Sequence, residues 1–480
     1  MIFHLPKQFS EKYWIPSPIR WEKVNNRYLV STDWSWILLE DSEFKLLLEG
    51  KIEEDINLFK KLEDSGIILT KDNLKKIIKK YQDRYHFLWQ GPSLHIIAVT
   101  FRCNQACIYC HSSVVPDSFQ KTKYDLDIET AKEIVDFIFQ SNANHIGIEF
   151  QGGEPLLNWE AIEYIVERAI EKSKIHKKIV DFNMATNLTL MTEDLINKII
   201  NDYWIKRKIK FGFSTSLDGP KEVHDKNRPM RNGGSSYERV VYWLEWLWER
   251  HKWVPHALLT ITKNSLPYWK EIVDEYINRH QLTIWIRVPN RIGYAENNPN
   301  NVTEEEYLEF FKKSLEYIIE INKKKRTFIE YYTLIILKKL FNNKDPLFTN
   351  LMSPICGGII GQLAYKPNGD IHTCDEGKIY DEFKLGNVKT DTLKDILNSE
   401  KARLFFRASC LETYPTCMQC IYKFICGACP VNSFAEFNTM FPHMPSFYKC
   451  KINKNIFRTI FEKLQNEEAK NIFETWLKIL

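Results

Sequence analysis

Nowhere does the sequence carry an apolar run approaching the roughly 20 residues that a membrane-spanning helix needs, so no membrane partner is expected. Its first stretch, MIFHLPKQFSEKYW, lacks the basic-then-apolar layout of a secretory signal. A cytoplasmic protein with reduced thiols is the expectation. Charge of one sign is missing too: 66 Lys and Arg stand against 62 Asp and Glu. That balance offers no field for nucleic acid, and the runs KKIIKK and KKKR read as solvated helix ends. There is no internal repeat and no low-complexity tract. Cysteine is absent from residues 1–90, and only three of the 11 precede residue 350. An odd, clustered set in a reducing compartment reads as metal or cluster ligands, not as a disulfide scaffold.

What is present is globular: 44% hydrophobic residues, 14% aromatic, and 480 residues, enough for two or three domains. Residues 1–90 suggest two short strands with following helices, a small winged-helix-like module or a plain extension. From Ser93 a regular alternation begins. Strands are expected at 94–100, 145–150, 179–184, 209–216, 256–262 and 283–288. Helices should fill the gaps, the last at 304–323 with Leu308, Phe311, Leu315 and Ile318 on one face. Six such units imply an α/β fold with a parallel sheet, either a partial (β/α)6 barrel or an open doubly wound sheet. Active residues should follow the carboxyl ends of the strands. A helical bridge near 328–342 leads to a cysteine-rich region, closed by helix at 452–478. The division reads 1–90, 91–345 and 346–480.

The first strand runs into CNQACIYC, with Cys103, Cys107 and Cys110 in Cys-x3-Cys-x2-Cys spacing. A structural zinc site wants four protein ligands, and His111 is poorly placed to complete one. A cubane iron–sulfur cluster on three thiolates leaves one iron open. Zinc remains the alternative on spacing alone. CNQACIYC resembles the signature of the radical S-adenosylmethionine (SAM) enzymes, and later strand ends extend the likeness. QGGEP follows the second strand, ATNLTL the third and STSLDGP the fourth, with HDKNRP beyond. The resemblance implies a radical SAM barrel in which a [4Fe–4S] cluster on Cys103, Cys107 and Cys110 binds SAM. It places Tyr109, Gly152, Gly153, Glu154, Asn187, Ser216 and Arg228 around SAM: the glycines and Glu154 at its ammonium, Ser216 near the ribose, Arg228 near the carboxylate.

Eight cysteines remain, and CMQCIYKFICGAC taken alone would also suit a zinc ribbon. The region resembles the SPASM domain, which carries auxiliary [4Fe–4S] clusters in peptide-modifying radical SAM enzymes. That likeness implies Cys356, Cys374 and Cys429 for a nearer cluster, completed by Cys410 or left with an open iron. Cys417, Cys420, Cys426 and Cys450 would hold a farther one. Only two residues separate Cys426 from Cys429, where the family has three. Asp375 matches an acidic residue that accepts a proton in sulfatase-maturing relatives, or else it simply caps the cluster loop. His372 reads as structural.

Longer stretches, among them HIGIEFQGGEPLLNWEAIEYIVERA and STSLDGPKEVHDKNRP, look like the His-Xaa-Ser system radical SAM maturases. The implied activity is radical modification of a ribosomally made precursor peptide, fed by a reductant such as flavodoxin or ferredoxin. The amino-terminal module would then hold a leader peptide as an added strand. A maturase that oxidises Cys or Ser of a protein to formylglycine is the alternative enzyme. A metal-stabilised peptide-binding scaffold is the alternative from another class.

Overall fold

The computed structural model describes residues 12–479 except 16–17, 113, 288–289, 325 and 343–354, and of 86–87 only the backbone. The amino-terminal module has three antiparallel strands where two were expected: Arg20–Val24, Arg27–Ser31 and Trp36–Leu39. The third exists because Thr32 closes a tight turn. Its N–H donates to the Ser35 carbonyl at 2.9 Å, and its hydroxyl oxygen accepts from the Ser35 N–H at 3.2 Å. Helices Asp41–Glu49, Ile56–Ser65 and Leu74–Tyr85 follow. The second starts where Asp55 accepts from the Asn57 and Leu58 N–H groups, satisfying two donors that a helix start leaves open.

Six parallel strands form the body: Leu94–Thr100, His145–Gly152, Ile179–Ala185, Phe211–Ser216, His256–Thr260 and Ile286–Arg287. Each lies beside its predecessor in the chain, with no reversal of strand order. A doubly wound sheet would have a switch point, so the order is that of a partial barrel. The helices between strands bury their apolar stripes on it. Ile128–Ile138 packs Ala131, Ile134, Val135 and Ile138 into the same core as strand residues Ile146, Ile148 and Phe182. Glu304–Lys323 begins at a capping box of Thr303 and Glu306 and buries Phe311, Leu315 and Ile318, while Leu308 is only partly covered. The helix after the third strand runs Glu193–Lys198 and then continues as a π-helix over Ile199–Lys206.

The sixth strand departs from the sequence reading. In place of one run at 283–288, Thr283–Ile284 pairs with Ile329–Glu330, and Ile286–Arg287 pairs with Leu259 and Thr260. The chain changes partner at Trp285, and only its second half joins the barrel.

The boundary expected at 345/346 lies outside the described residues, and the sheet runs across it. Strand Gln362–Tyr365 pairs in parallel with the first barrel strand, from Gln362 beside Leu94 to Tyr365 beside Ile97. Asp370–His372 and Lys384–Asn387 extend it antiparallel, making nine strands in all. Helices Tyr448–Lys463 and Glu467–Ile479 close the chain and share a core with Val24 and Leu29 of the first module. That module is docked by specific polar contacts on the loop that carries Cys417, Cys420 and Cys426. Arg20 Nε donates to the Met418 carbonyl at 2.7 Å, Ser31 Oγ to that of Ile421 at 2.7 Å, and Lys423 Nζ pairs with Asp33 at 3.0 Å. Arg84 donates to the Phe424 carbonyl. Among the described residues no helix is long and apolar enough to cross a membrane.

Candidate active site

Cys103, Cys107 and Cys110 lie just past the first barrel strand and face one cavity with Tyr109, Gly152, Gly153, Asn187, Ser216 and Arg228. No disulfide joins the three thiols. Burial, with the neighbouring thiols, pushes Cys103 well above its ordinary range. It pushes Cys107 up to about 12, although the Arg228 guanidinium opposes it. A set of crowded, protonated thiols around a common space suits a polynuclear cation that displaces their protons. Among the described residues no three His, Cys, Asp or Glu side chains are close enough to share a single metal ion.

Close backbone packing shapes the loop. Gly153 N–H donates to the Thr100 carbonyl at 2.7 Å, and Glu154 N–H to that of Arg102 at 2.9 Å. Gly152 has φ +135°, and a Cβ there would stand 2.0 Å from Thr100 O; one at Gly153 would stand 2.0 Å from Arg102 O. These glycines therefore let the second strand end press against the cysteine segment, as well as line the cavity. Glu154 does something other than the sequence reading expected. It is fully buried and not among the cavity's lining residues. Its carboxylate accepts from Thr186 Oγ1 at 2.7 Å, Asn187 N–H at 2.8 Å and Leu156 N–H at 3.1 Å. Burial raises it to about 7 against those bonds. Its place is to hold the 186–187 turn, which presents Asn187.

The fourth strand end supplies a residue that the sequence reading quoted inside a motif without a role. Asp218 is fully buried and accepts from the Tyr109 hydroxyl, from Arg228 Nε at 3.1 Å and from Thr260 N–H at 3.2 Å. Arg228 lies over the Tyr109 ring at 5.1 Å, and its Nη1 reaches Cys107 Sγ at 3.9 Å. Burial alone would weaken the Arg228 charge, but Asp218, Tyr109 and Cys107 keep it firmly protonated. One carboxylate thus fixes both the aromatic residue before Cys110 and the cation beside Cys107. The visible signal was an acid at a strand end ten residues before an arginine.

Asp375 reaches the same cavity from the carboxyl-terminal region. His111 Nε2 lies 3.1 Å from Asp375 Oδ2, and the fully buried Lys378 pairs with the same carboxylate. Burial acts to raise Asp375, yet Lys378 and His111 together hold it well below the usual carboxylate range. A carboxylate so stabilised is a weak proton acceptor. Its position suits the catalytic reading and its electrostatics suit the structural one. His372 is buried against the Gly377 carbonyl, and burial pushes it down to about 4, a structural arrangement.

The remaining cysteines form two groups. Cys356, Cys374 and Cys429 share one buried cluster with Phe383, Phe405 and Val431. Backbone N–H groups aim at their sulfurs: Gly358 at Cys356 (3.2 Å), Gly377 at Cys374 (3.4 Å) and Asn432 at Cys429 (3.5 Å). Donors converging on sulfur are how a protein stabilises thiolates on iron. Cys417, Cys420, Cys426 and Cys450 line a single separate cavity. Cys410 belongs to neither set, although it adds to the repulsion that raises Cys356.

The sequence matches the radical SAM superfamily over residues 97–280 and the SPASM iron–sulfur cluster-binding domain over residues 356–421. This is a radical SAM enzyme with a SPASM domain. Its cofactors are accordingly a [4Fe–4S] cluster with SAM and auxiliary iron–sulfur clusters. The radical SAM enzyme is 25% identical over 397 residues to the cysteine-type anaerobic sulfatase-maturating enzyme of Clostridium perfringens, across 79% of this chain and 99% of that one. Among solved structures it resembles native anSMEcpe with bound AdoMet, at a TM-score of 0.64 and 21% identity, covering 78% and 99% of the two chains. It also shares the fold of Streptococcus suis SuiB bound to precursor peptide SuiA, at a TM-score of 0.51 and 14% identity, covering 90% and 98%. These matches lie at the level of the radical SAM and SPASM families, broader than the His-Xaa-Ser likeness read from the sequence.

Proposed function

We propose that this radical SAM enzyme modifies a ribosomally made precursor peptide in the cytoplasm, forming a cross-link or another oxidised or epimerised product. Cys103, Cys107 and Cys110 hold the SAM-binding cluster in this reading. Cys356, Cys374 and Cys429, with Cys410 or an open iron, hold the nearer auxiliary cluster. Cys417, Cys420, Cys426 and Cys450 hold the farther one, and flavodoxin or ferredoxin supplies electrons. One observation carries the reading: the cavity at the cysteine loop continues into a chamber of about 470 Å³ that reaches Cys429. Gln151, Ala185, Ser214, Leu258, Arg287, Asn290 and Asp375 line both. The volume is in the range that small ligands fill, enough for the side chain of a peptide residue.

When bound, the cluster and SAM supply a 5′-deoxyadenosyl radical able to take hydrogen from an unactivated C–H bond. The chain's own residues orient and enclose. Gly152 and Gly153 present backbone at the cavity wall, and Asn187 and Ser216 offer polar groups from the third and fourth strand ends. Arg228, held by Asp218, offers a cation beside Cys107. The amino-terminal module supports the peptide reading. The sulfatase-maturating relative matches 79% of this chain over 99% of its own length. SuiB, a structure bound to its precursor peptide, covers 90%.

The formylglycine reading is favoured by one observation, the placement of Asp375 on both cavities. Asp375→Asn separates the two. Loss of product with SAM cleavage retained favours oxidation with Asp375 as base, whereas loss of auxiliary iron marks a structural role.

The primary test is anaerobic. Reconstituted protein is mixed with SAM and a strong reductant, and 5′-deoxyadenosine is quantified beside a Cys103/Cys107/Cys110→Ala variant. Formation by the wild type and not by the variant is expected. Iron-loaded wild type that makes none, with or without peptide, would sink the proposal. Deleting residues 1–90 is a less clean test of peptide binding, because it also strips Arg20, Ser31 and Asp33 from the farther cysteine loop. Auxiliary iron must therefore be measured beside peptide affinity.

A further inference from the structure

The two joined cavities hold one cation whose partner is not supplied by the described residues. Arg287 ends the sixth barrel strand, lines both cavities and stacks over Trp285 at 4.8 Å. Every carboxylate on the chamber wall has a partner of its own. Asp375 pairs with Lys378 and His111. Glu149 accepts from Gln151 and from Asn183 Nδ2 at 3.3 Å. Glu376 accepts from Asn290 Nδ2 at 3.3 Å. The guanidinium of Arg287 has no hydrogen bond or ion pair among the described residues. Lys449 lines the same chamber, 7% exposed, with Nζ donating to Asn290 Oδ1 at 2.6 Å.

Such an arrangement calls for an anion from outside. A guanidinium seated over an indole is restrained by that contact, and its forked N–H donors match a carboxylate bidentately. The stacking also removes the rotamer cost of ordering it. Trp285 and Arg287 stand two residues apart in extended chain, which puts both side chains on one side, and both line the chamber.

We propose that Arg287, with Lys449 behind it, binds a carboxylate of the substrate, so that the peptide presents an Asp or Glu side chain, or its carboxyl terminus, beside the reacting residue. This rests on the peptide-modifying reading above. SAM also carries a carboxylate, but the cation beside the cysteine loop is Arg228, at 3.9 Å from Cys107 Sγ. Arg287 stands instead at the junction with the inner chamber that Cys429 lines. It is a positioning and specificity residue, and touches neither cysteine set.

Calorimetric titration of the cluster-loaded protein tests it. The first titrant is SAM, and the next are N-acetyl-glutamate N-methylamide and N-acetyl-aspartate N-methylamide with their glutamine and asparagine counterparts, added to the SAM-bound protein. In the wild type at least one acid is expected to bind tenfold or more tighter than its amide. That preference should vanish in Arg287→Gln and shrink in Arg287→Lys, with the Kd for SAM unchanged. Acid and amide binding equally, or a preference that survives Arg287→Gln, would overturn the proposal. A tenfold weaker Kd for SAM in Arg287→Gln would overturn it too, by assigning the guanidinium to SAM. Wild type that binds no SAM at all would overturn the functional reading first, and this inference with it.

Discussion

Gly153→Ala is the sharpest perturbation of the cysteine loop that leaves every polar side chain in place. The new Cβ would stand 2.0 Å from Arg102 O and 2.5 Å from the Arg102 carbonyl carbon, both backbone atoms that no rotamer change can move. Relief requires the two segments to part by about an ångström, since carbon–oxygen contacts sit near 3.3 Å. The hydrogen bonds from Gly153 N–H at 2.7 Å and Glu154 N–H at 2.9 Å cannot survive that shift. Each lost bond with a partly buried group left unsatisfied costs about 1–3 kcal/mol, so about 3 kcal/mol is a fair sum for the pair. At 1.4 kcal/mol per factor of ten, the native loop is disfavoured roughly a hundredfold. The assay is iron bound per chain after reconstitution, together with 5′-deoxyadenosine formed. The variant is expected to lose the share of iron belonging to the cysteine loop, retain the auxiliary share and make little 5′-deoxyadenosine. A Gly153→Ala protein with wild-type iron and wild-type cleavage would refute the claim that this close approach shapes the site.

Further outcomes follow from the same structure. Asp218→Asn keeps the shape but leaves the buried Arg228 charge uncompensated, a loss of about 3–5 kcal/mol by analogy with broken buried ion pairs, read by chemical denaturation. Unchanged stability would mean that Arg228 finds another anion. Glu330 is buried, which raises it to about 7 from 4.5 despite bonds from Thr333, Tyr332 and Ile286. Its carboxyl is then neutral when folded but ionised when unfolded between those pH values. Stability should therefore fall by about 3 kcal/mol as pH rises through that window, and Glu330→Gln should remove that slope from the denaturation profile. Replacing Cys417 and Cys420 with Ser should remove about four irons per chain, one cubane's worth. Cys410→Ala should leave that group intact, and any iron it costs must come from the site of Cys356, Cys374 and Cys429.

The barrel was largely legible because alternation of short β-branched runs with amphipathic helices reports directly on burial. The strands at 94–100 and 179–184 and the helix at 304–323 stand almost where that pattern places them. Choice between rolled and doubly wound sheets was not legible, since strand order is a long-range property absent from local periodicity. The sixth strand was misread for a similar reason. TIWIRV has one uninterrupted pattern, yet competition between Ile329–Glu330 and Leu259–Thr260 as partners splits it at Trp285. Around the site, residue types that react with iron were conspicuous in sequence, while the residues that hold them were not. Asp218, Lys378 and Arg287 come from three distant parts of the chain, and only folding shows what each faces. Glu154 shows the converse limit: its motif singles it out, but only folding shows that its carboxylate accepts from the 186–187 turn.

The amino-terminal strands contact residues nearly 400 positions away, at Met418, Ile421 and Lys423. During synthesis this module leaves the ribosome well ahead of its docking partner, which lies 390 to 398 positions further on. It must wait, with its polar contacts unmade, until the cysteine loop exists. Once docked, it braces the backbone of that loop at Met418 and Ile421, between and beside the cysteines it carries. A split protein, with residues 1–90 supplied as a separate polypeptide, would let that docking step be delayed at will and iron loading measured before and after it.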